Sequence, residues 1–147
     1  MSLKETLAQD LKLSLKEKDL IKRNTVQSIR AAILQFEKDN RTELDDDGIV
    51  DVIAKELKKR KDVLPDYEKS GRQDLIDQLN REIEIVMGYL PSQLSEDELD
   101  EIVKKAVEGT GASTMKDMGK IMAAVMPQIK GRADGRAVNA LAKKYLV

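Results

Sequence analysis

Apolar residues recur every three or four positions along most of this chain, the period of a helix with one buried face rather than the alternation of a strand. Leu3, Leu7, Leu11 and Leu15 mark the first stripe, opened by Ser2 and Glu5 in capping-box spacing. Asp19 stands where a second helix would be capped, and Val26, Ile29, Ile33 and Phe36 mark its buried side until the polar run 38–42 ends it. So short a link predicts an antiparallel hairpin. The acids at 45–47 precede a third stripe, Ile49, Val52, Ile53 and Leu57. They lack the alternating ligands and distal glutamate of a calcium loop, whereas the helix dipole favours acids at a helix start. Pro65 is expected to stop or kink this helix near Tyr67, and Ser70 with Gly71 to turn the chain. A fourth helix is predicted over 73–90, through Leu75, Leu79, Ile83, Val86 and Leu90.

Pro91 marks a boundary, because proline disfavours the helical state in the residue before it. Beyond it, Ser95 and Glu98 form a capping box for a helix that turns Leu99, Ile102, Val103, Ala106 and Val107 inward and ends at Gly109. Met118, Ile121, Met122, Val125 and Ile129 share one side of the next helix. Ser113 or Thr114 caps it with Asp117, Pro127 loosens its last turn, and it is over by Gly131. Asp134 caps a last helix that carries Val138, Leu141, Ala142 and Tyr145 on one side. The expected fold is therefore all-α, a multihelical N-terminal bundle over 1–92 followed by a small three-helix domain over 95–147.

Composition agrees and narrows the chemistry. Aromatics make up only 3 % of the 147 residues and charged residues 36 %, which suits helices better than sheets. The chain has no Cys and no His, which removes disulfides, thiolate zinc sites and the commonest acid–base group. Neither a metal site nor a cofactor is expected. No apolar run approaches the length of a membrane span, and Met1-Ser-Leu-Lys-Glu5 has no apolar signal core. A cytoplasmic protein with no membrane partner is the expectation.

A net charge of -1 argues against coating nucleic acid by bulk charge. Its distribution is uneven. Residues 113–147 hold seven basic side chains (Lys116, Lys120, Lys130, Arg132, Arg136, Lys143, Lys144) against Asp117 and Asp134, a net of +5, while 95–108 carries six acids against two lysines, a net of -4. The two stretches could pair internally, or the basic end could face an anion. In the middle of the chain Lys55, Lys58, Lys59, Arg60 and Lys61 are interrupted by Glu56 and Asp62, the pattern of a solvated face, and Glu82 and Glu84 read as ordinary surface charges.

The turn from Lys130 to Arg136 is the densest cluster of unusual residues. Arg136 falls in the first turn of the last helix, where the dipole disfavours a cation by about 0.3–1 kcal/mol. Either Asp134 pairs with it, or an outside anion such as a phosphate uses that helix start. Arg136 and Lys143 lie within about 20° of each other around the helix, beside Asn139 and away from the apolar stripe.

The run from Met118-Gly-Lys-Ile-Met122 to Lys130-Gly-Arg-Ala-Asp-Gly-Arg136, followed by Val138, Asn139 and Leu141, resembles the signature of the YqeY family. The resemblance extends through Lys58, Lys59 and Arg60 and through Tyr89-Leu-Pro-Ser-Gln-Leu-Ser95. That family shares its helical module with the tail of the GatB subunit of glutamine-dependent tRNA amidotransferase, which implies tRNA or another structured RNA as partner. On this reading Arg132 and Arg136 clamp phosphates, while Lys120, Lys130 and Lys143 add charge. Gly131 and Gly135 admit a close backbone, Asp134 orients the turn as a cap, and Asn139 reaches a sugar or base edge. No aromatic interleaves these residues, so shape and backbone recognition is expected rather than base stacking.

A second reading is a helical adaptor that docks a protein, such as an amidotransferase or an aminoacyl-tRNA synthetase, through Met115, Met118, Met122 and Met126. An exposed methionine face would favour the adaptor; exposed arginines over buried methionines would favour RNA. The kinship with the amidotransferase also brings carbon–nitrogen ligase activity with glutamine as donor by association. No Cys nucleophile, His base, phosphate-binding glycine loop or Ser-Lys pair supports it, and no catalytic residue is expected.

Overall fold

The computed structural model describes residues 1–147 and contains helices and no strands. Seven α-helices and two short 3₁₀ turns fall into two compact units, Met1–Leu90 and Pro91–Val147.

The first unit holds α1 (Leu3–Glu17), α2 (Leu20–Asn40), α3 (Asp46–Ser70) and α4 (Gln73–Met87). Three of its helices open on a side-chain cap: Ser2 accepts from the Glu5 N–H at 3.2 Å, Asp19 from Lys22 at 3.1 Å and Asp45 from Gly48 at 2.9 Å. Leu7, Val26, Ile29, Ile33, Ile49, Val52, Ile53, Leu57 and Val86 form its core. Burying each such side chain is worth about 1.5–3 kcal/mol.

The four-residue leucine spacing of α1 does not stay on one face. Each step of four advances about 40°, so Leu15 is roughly 120° from Leu3 and stands 52 % exposed. Ser14, about 20° from Leu3, is buried in its place and donates its hydroxyl to the Leu11 carbonyl at 2.8 Å. Phe36, expected inside, is exposed.

Pro65 does not stop α3, which continues to Ser70 and closes on Gly71 at φ 70°. The missing N–H leaves the Lys61 carbonyl without its helical partner, and both residues are exposed, so water can take that bond. α4 ends at Met87, three residues before the predicted Leu90, where Gly88, Tyr89 and Leu90 turn instead. The Tyr89 hydroxyl donates to Asp10 of α1. Between α3 and α4, buried Glu56 is met by Arg60 at 3.2 Å, and Arg60 reaches Glu82 at 3.4 Å. Glu82 is thus part of an ion-pair chain rather than a solvated charge, and Arg60 turns inward, away from the exposed lysines beside it.

The second unit holds α5 (Glu96–Thr110), α6 (Met118–Ile129) and α7 (Gly135–Ala142), with 3₁₀ turns at Met115–Asp117 and Lys143–Tyr145. The capping box at α5 is complete: Ser95 Oγ accepts from the Glu98 N–H at 3.1 Å and the Glu98 carboxylate from Ser95 N–H at 3.3 Å. α5 passes through Gly109 and ends on Gly111, whose φ of 67° is the left-handed one a C-cap needs. Leu99, Val103, Ala106, Ile121, Val125, Ile129, Val138, Leu141 and Ala142 form this unit's core, with Met118, Met122 and Tyr145 packed at its edge. No helix of either unit is long and apolar enough to cross a membrane.

Candidate nucleic-acid interface

The turn between α6 and α7 is held from three sides. Ile129 closes α6, and its carbonyl accepts from the N–H groups of Arg132 at 2.7 Å and Ala133 at 3.1 Å. Gly131 takes φ 71°, a left-handed conformation that explains its glycine. The segment before α5 runs alongside: Gln93 Nε2 donates to the Gly131 carbonyl at 2.7 Å, and the Leu94 N–H to the Arg132 carbonyl at 2.9 Å. Arg132 Nε in turn donates to the Ser92 carbonyl at 3.0 Å.

Arg132 is therefore a bracket between two segments as well as a cation. One of its five donors is committed to Ser92, which leaves the terminal nitrogens of the guanidinium to other acceptors. The Glu98 carboxyl is held below its ordinary value first by the Ser95 hydroxyl, then by the Ser95 N–H, with a smaller share from the charge of Arg132. Ser92 and Gln93 are hydrogen-bond partners of the turn that spacing along the chain did not point to. Their only signal was their place in the run Tyr89–Ser95 that carries part of the family resemblance.

Asp134 caps α7 by accepting from the Arg136 N–H at 3.0 Å, and its other oxygen accepts from Arg136 Nε at 3.2 Å. The cation in the first turn is thus offset by the adjacent carboxylate, the internal pairing that the sequence left open. The Arg136 side chain is still 63 % exposed. Gly135 has no left-handed backbone, and a Cβ there would meet only Met122 Cε at 3.6 Å, an ordinary contact. Its contribution is a low surface rather than an unusual conformation.

Gly135, Arg136, Asn139, Ala140 and Lys143 line one shallow depression of about 290 Å³ on α7. Four of the nine candidate residues therefore meet there. Lys120 does not; it extends from α6 and pairs with Asp117 at 3.7 Å. The Asp117 carboxyl is held below its ordinary value by the N–H groups of Ser113, at 3.0 Å, and Thr114, at 3.2 Å. Lys130 is exposed at the end of α6. The methionines divide: Met118 and Met122 pack on the core, whereas Met115 and Met126 are 46 % and 45 % exposed. No group of three or more His, Cys, Asp or Glu side chains converges as a metal site.

The family model described as "Yqey-like protein" matches residues 4–146. The chain is 30 % identical over 130 residues to "Altered inheritance of mitochondria protein 41, mitochondrial" of Pyrenophora tritici-repentis, covering 86 % of this chain and 71 % of that protein. It is 31 % identical over 119 residues to the protein of that name in Vanderwaltozyma polyspora, with 76 % and 64 % covered. For the Kluyveromyces lactis protein the figures are 33 % over 84 residues, with 56 % and 45 % covered. The chain therefore spans from under half to about seven tenths of the length of these curated relatives.

These relatives are named as mitochondrial, which overturns the cytoplasmic expectation. That expectation rested on the lack of a membrane-length apolar run and of an apolar signal core, and neither feature distinguishes one aqueous compartment from another. Because the family model accounts for residues 4–146, the chain belongs to the YqeY family.

Proposed function

We propose that this protein is a non-catalytic accessory that binds structured RNA, tRNA being the class its kinship with the amidotransferase tail suggests. The observation that carries the reading is the depression on α7, where Arg136 and Lys143 flank Asn139 over a floor of Gly135 and Ala140. Two cations over small residues suit a phosphodiester strand that must come close to the helix. Arg132 and Lys130 add two further cations on the turn that leads into α7. No ring lies in the depression, so recognition is by backbone and shape.

The test is the salt dependence of tRNA binding by the native chain and by an Arg136→Ala, Lys143→Ala pair, with a DNA duplex of similar length as control. The pair is expected to weaken binding and to flatten the slope of log K against log salt by about 1.5, the share of two phosphates. Absence of tRNA binding by the native chain at low salt would sink the reading.

The exposed Met115 and Met126 favour a second reading, an adaptor that docks an amidotransferase or an aminoacyl-tRNA synthetase. Met115→Ser with Met126→Ser would then abolish co-purification of such an enzyme while tRNA binding by the isolated chain stays unchanged. Loss of tRNA binding with retained co-purification would count against the adaptor.

A further inference from the structure

Resting on the RNA reading, we infer that Asn139 reads the ribose 2′-hydroxyl and is the residue by which this protein tells an RNA duplex from a DNA duplex. Asn139 is half-buried on α7, in the depression lined also by Arg136 and Lys143. Its carboxamide makes no hydrogen bond within the protein, although polar neighbours lie on both sides. An amide offers both a donor and an acceptor, the complement of a hydroxyl that is itself both. A phosphate oxygen accepts only and would engage half of that capacity.

The surroundings choose the form of the ligand. Arg136 and Lys143 are seven residues apart, about 10 Å along the helix axis, so they can hold two phosphates with a sugar between them. Asn139 lies midway. The floor of Gly135 and Ala140 lacks bulk, which lets the wide, shallow minor groove of an A-form duplex settle onto α7 with its 2′-hydroxyls facing the amide. Single strands are bound chiefly by stacking, and the ring nearest in sequence, Tyr145, is partly buried with its hydroxyl donating to Asp100 at 2.9 Å. The surface thus suits stacked, paired RNA.

The experiment measures anisotropy with three duplexes of one sequence: RNA, DNA, and RNA in which each 2′-hydroxyl is replaced by fluorine, which keeps the A-form but removes the donor. Native protein and Asn139→Ala are compared across a salt series, with circular dichroism to verify helix content and Asn139→Gln as a second variant that keeps the amide. Asn139→Ala is expected to bind the RNA duplex roughly three- to tenfold more weakly, the worth of one or two neutral hydrogen bonds. Its affinity for DNA and its salt slope should match the native protein, and it should no longer distinguish RNA from the fluorinated duplex.

Four results decide it. The expected pattern, with Asn139→Gln keeping part of the RNA preference, supports the inference. If Asn139→Ala retains the native preference for RNA over DNA, the inference is overturned and the basic-surface reading stands. Equal native affinity for RNA and DNA has the same meaning. If the native chain binds no duplex even at low salt, the RNA function falls and the inference falls with it.

Discussion

Single residues of the α6–α7 turn hold two jobs, and substitutions can separate them. Asp134 caps α7 and also neutralises Arg136 through its second oxygen. Asp134→Asn keeps an acceptor for the Arg136 N–H and removes the charge. We expect its melting temperature to stay near that of the native chain and its tRNA affinity at low salt to rise several-fold, read by circular dichroism and anisotropy. Asp134→Ala loses the cap and about 1 kcal/mol of stability. Arg132→Ala removes the bond to the Ser92 carbonyl, for a loss of about 0.5–1.5 kcal/mol in a urea titration. Arg132→Lys keeps the charge but not the planar donor geometry, so it should recover binding more fully than stability. Asp134 was readable in the sequence because a cap and its helix are neighbours. The role of Arg132 was not, because its acceptor is a main-chain carbonyl 40 residues away and no side-chain pattern encodes it.

At the scale of elements, the apolar stripes were readable because burial of one face imposes a 3.6-residue period on the sequence. The ends were less so. Gly109 and Gly111 are two glycines in a row of three residues, and which one takes the left-handed angle depends on where α5 stops packing. Pro65 carries the same lesson with an energetic consequence: a local rule predicted a stop or a kink, and α3 continues past it to Ser70. Proline inside a helix is unfavourable against alanine by about 3 kcal/mol, while it stiffens the unfolded chain by up to about 1 kcal/mol. Pro65→Ala is therefore expected to stabilise the protein by about 2 kcal/mol and to raise the urea midpoint without changing its slope. A fall in the midpoint would mean that the proline geometry is itself required, for example to bring Tyr67 and the end of α3 to their places.

For the whole molecule, charge placement sets the response to acid. The Glu37 carboxyl is held below its ordinary value of 4.5 by the Lys4 ammonium, bonded at 2.6 Å, and by the Leu44 N–H. Glu98 is lowered from 4.5 by Ser95, and Asp117 from 3.8 by the Ser113 and Thr114 N–H groups. A carboxyl with a depressed native pKa stabilises the fold when ionised. The contribution is complete above the unfolded-state value and is lost as pH falls through the native one. All three groups therefore act in the same direction, Glu37 within the first unit and Glu98 and Asp117 within the second. With no His in the chain, no imidazole titrates between about pH 5 and 8. The melting temperature is expected to be flat between about pH 6 and 8 and to fall progressively below about pH 4.5. Glu98→Gln should lower the plateau, since the carboxylate bonds to Ser95 are charge-assisted, and should reduce the drop on acidification because one titrating group is gone. An equal drop in Glu98→Gln and the native protein would show that acid acts elsewhere, with Glu37 and Asp117 next to test.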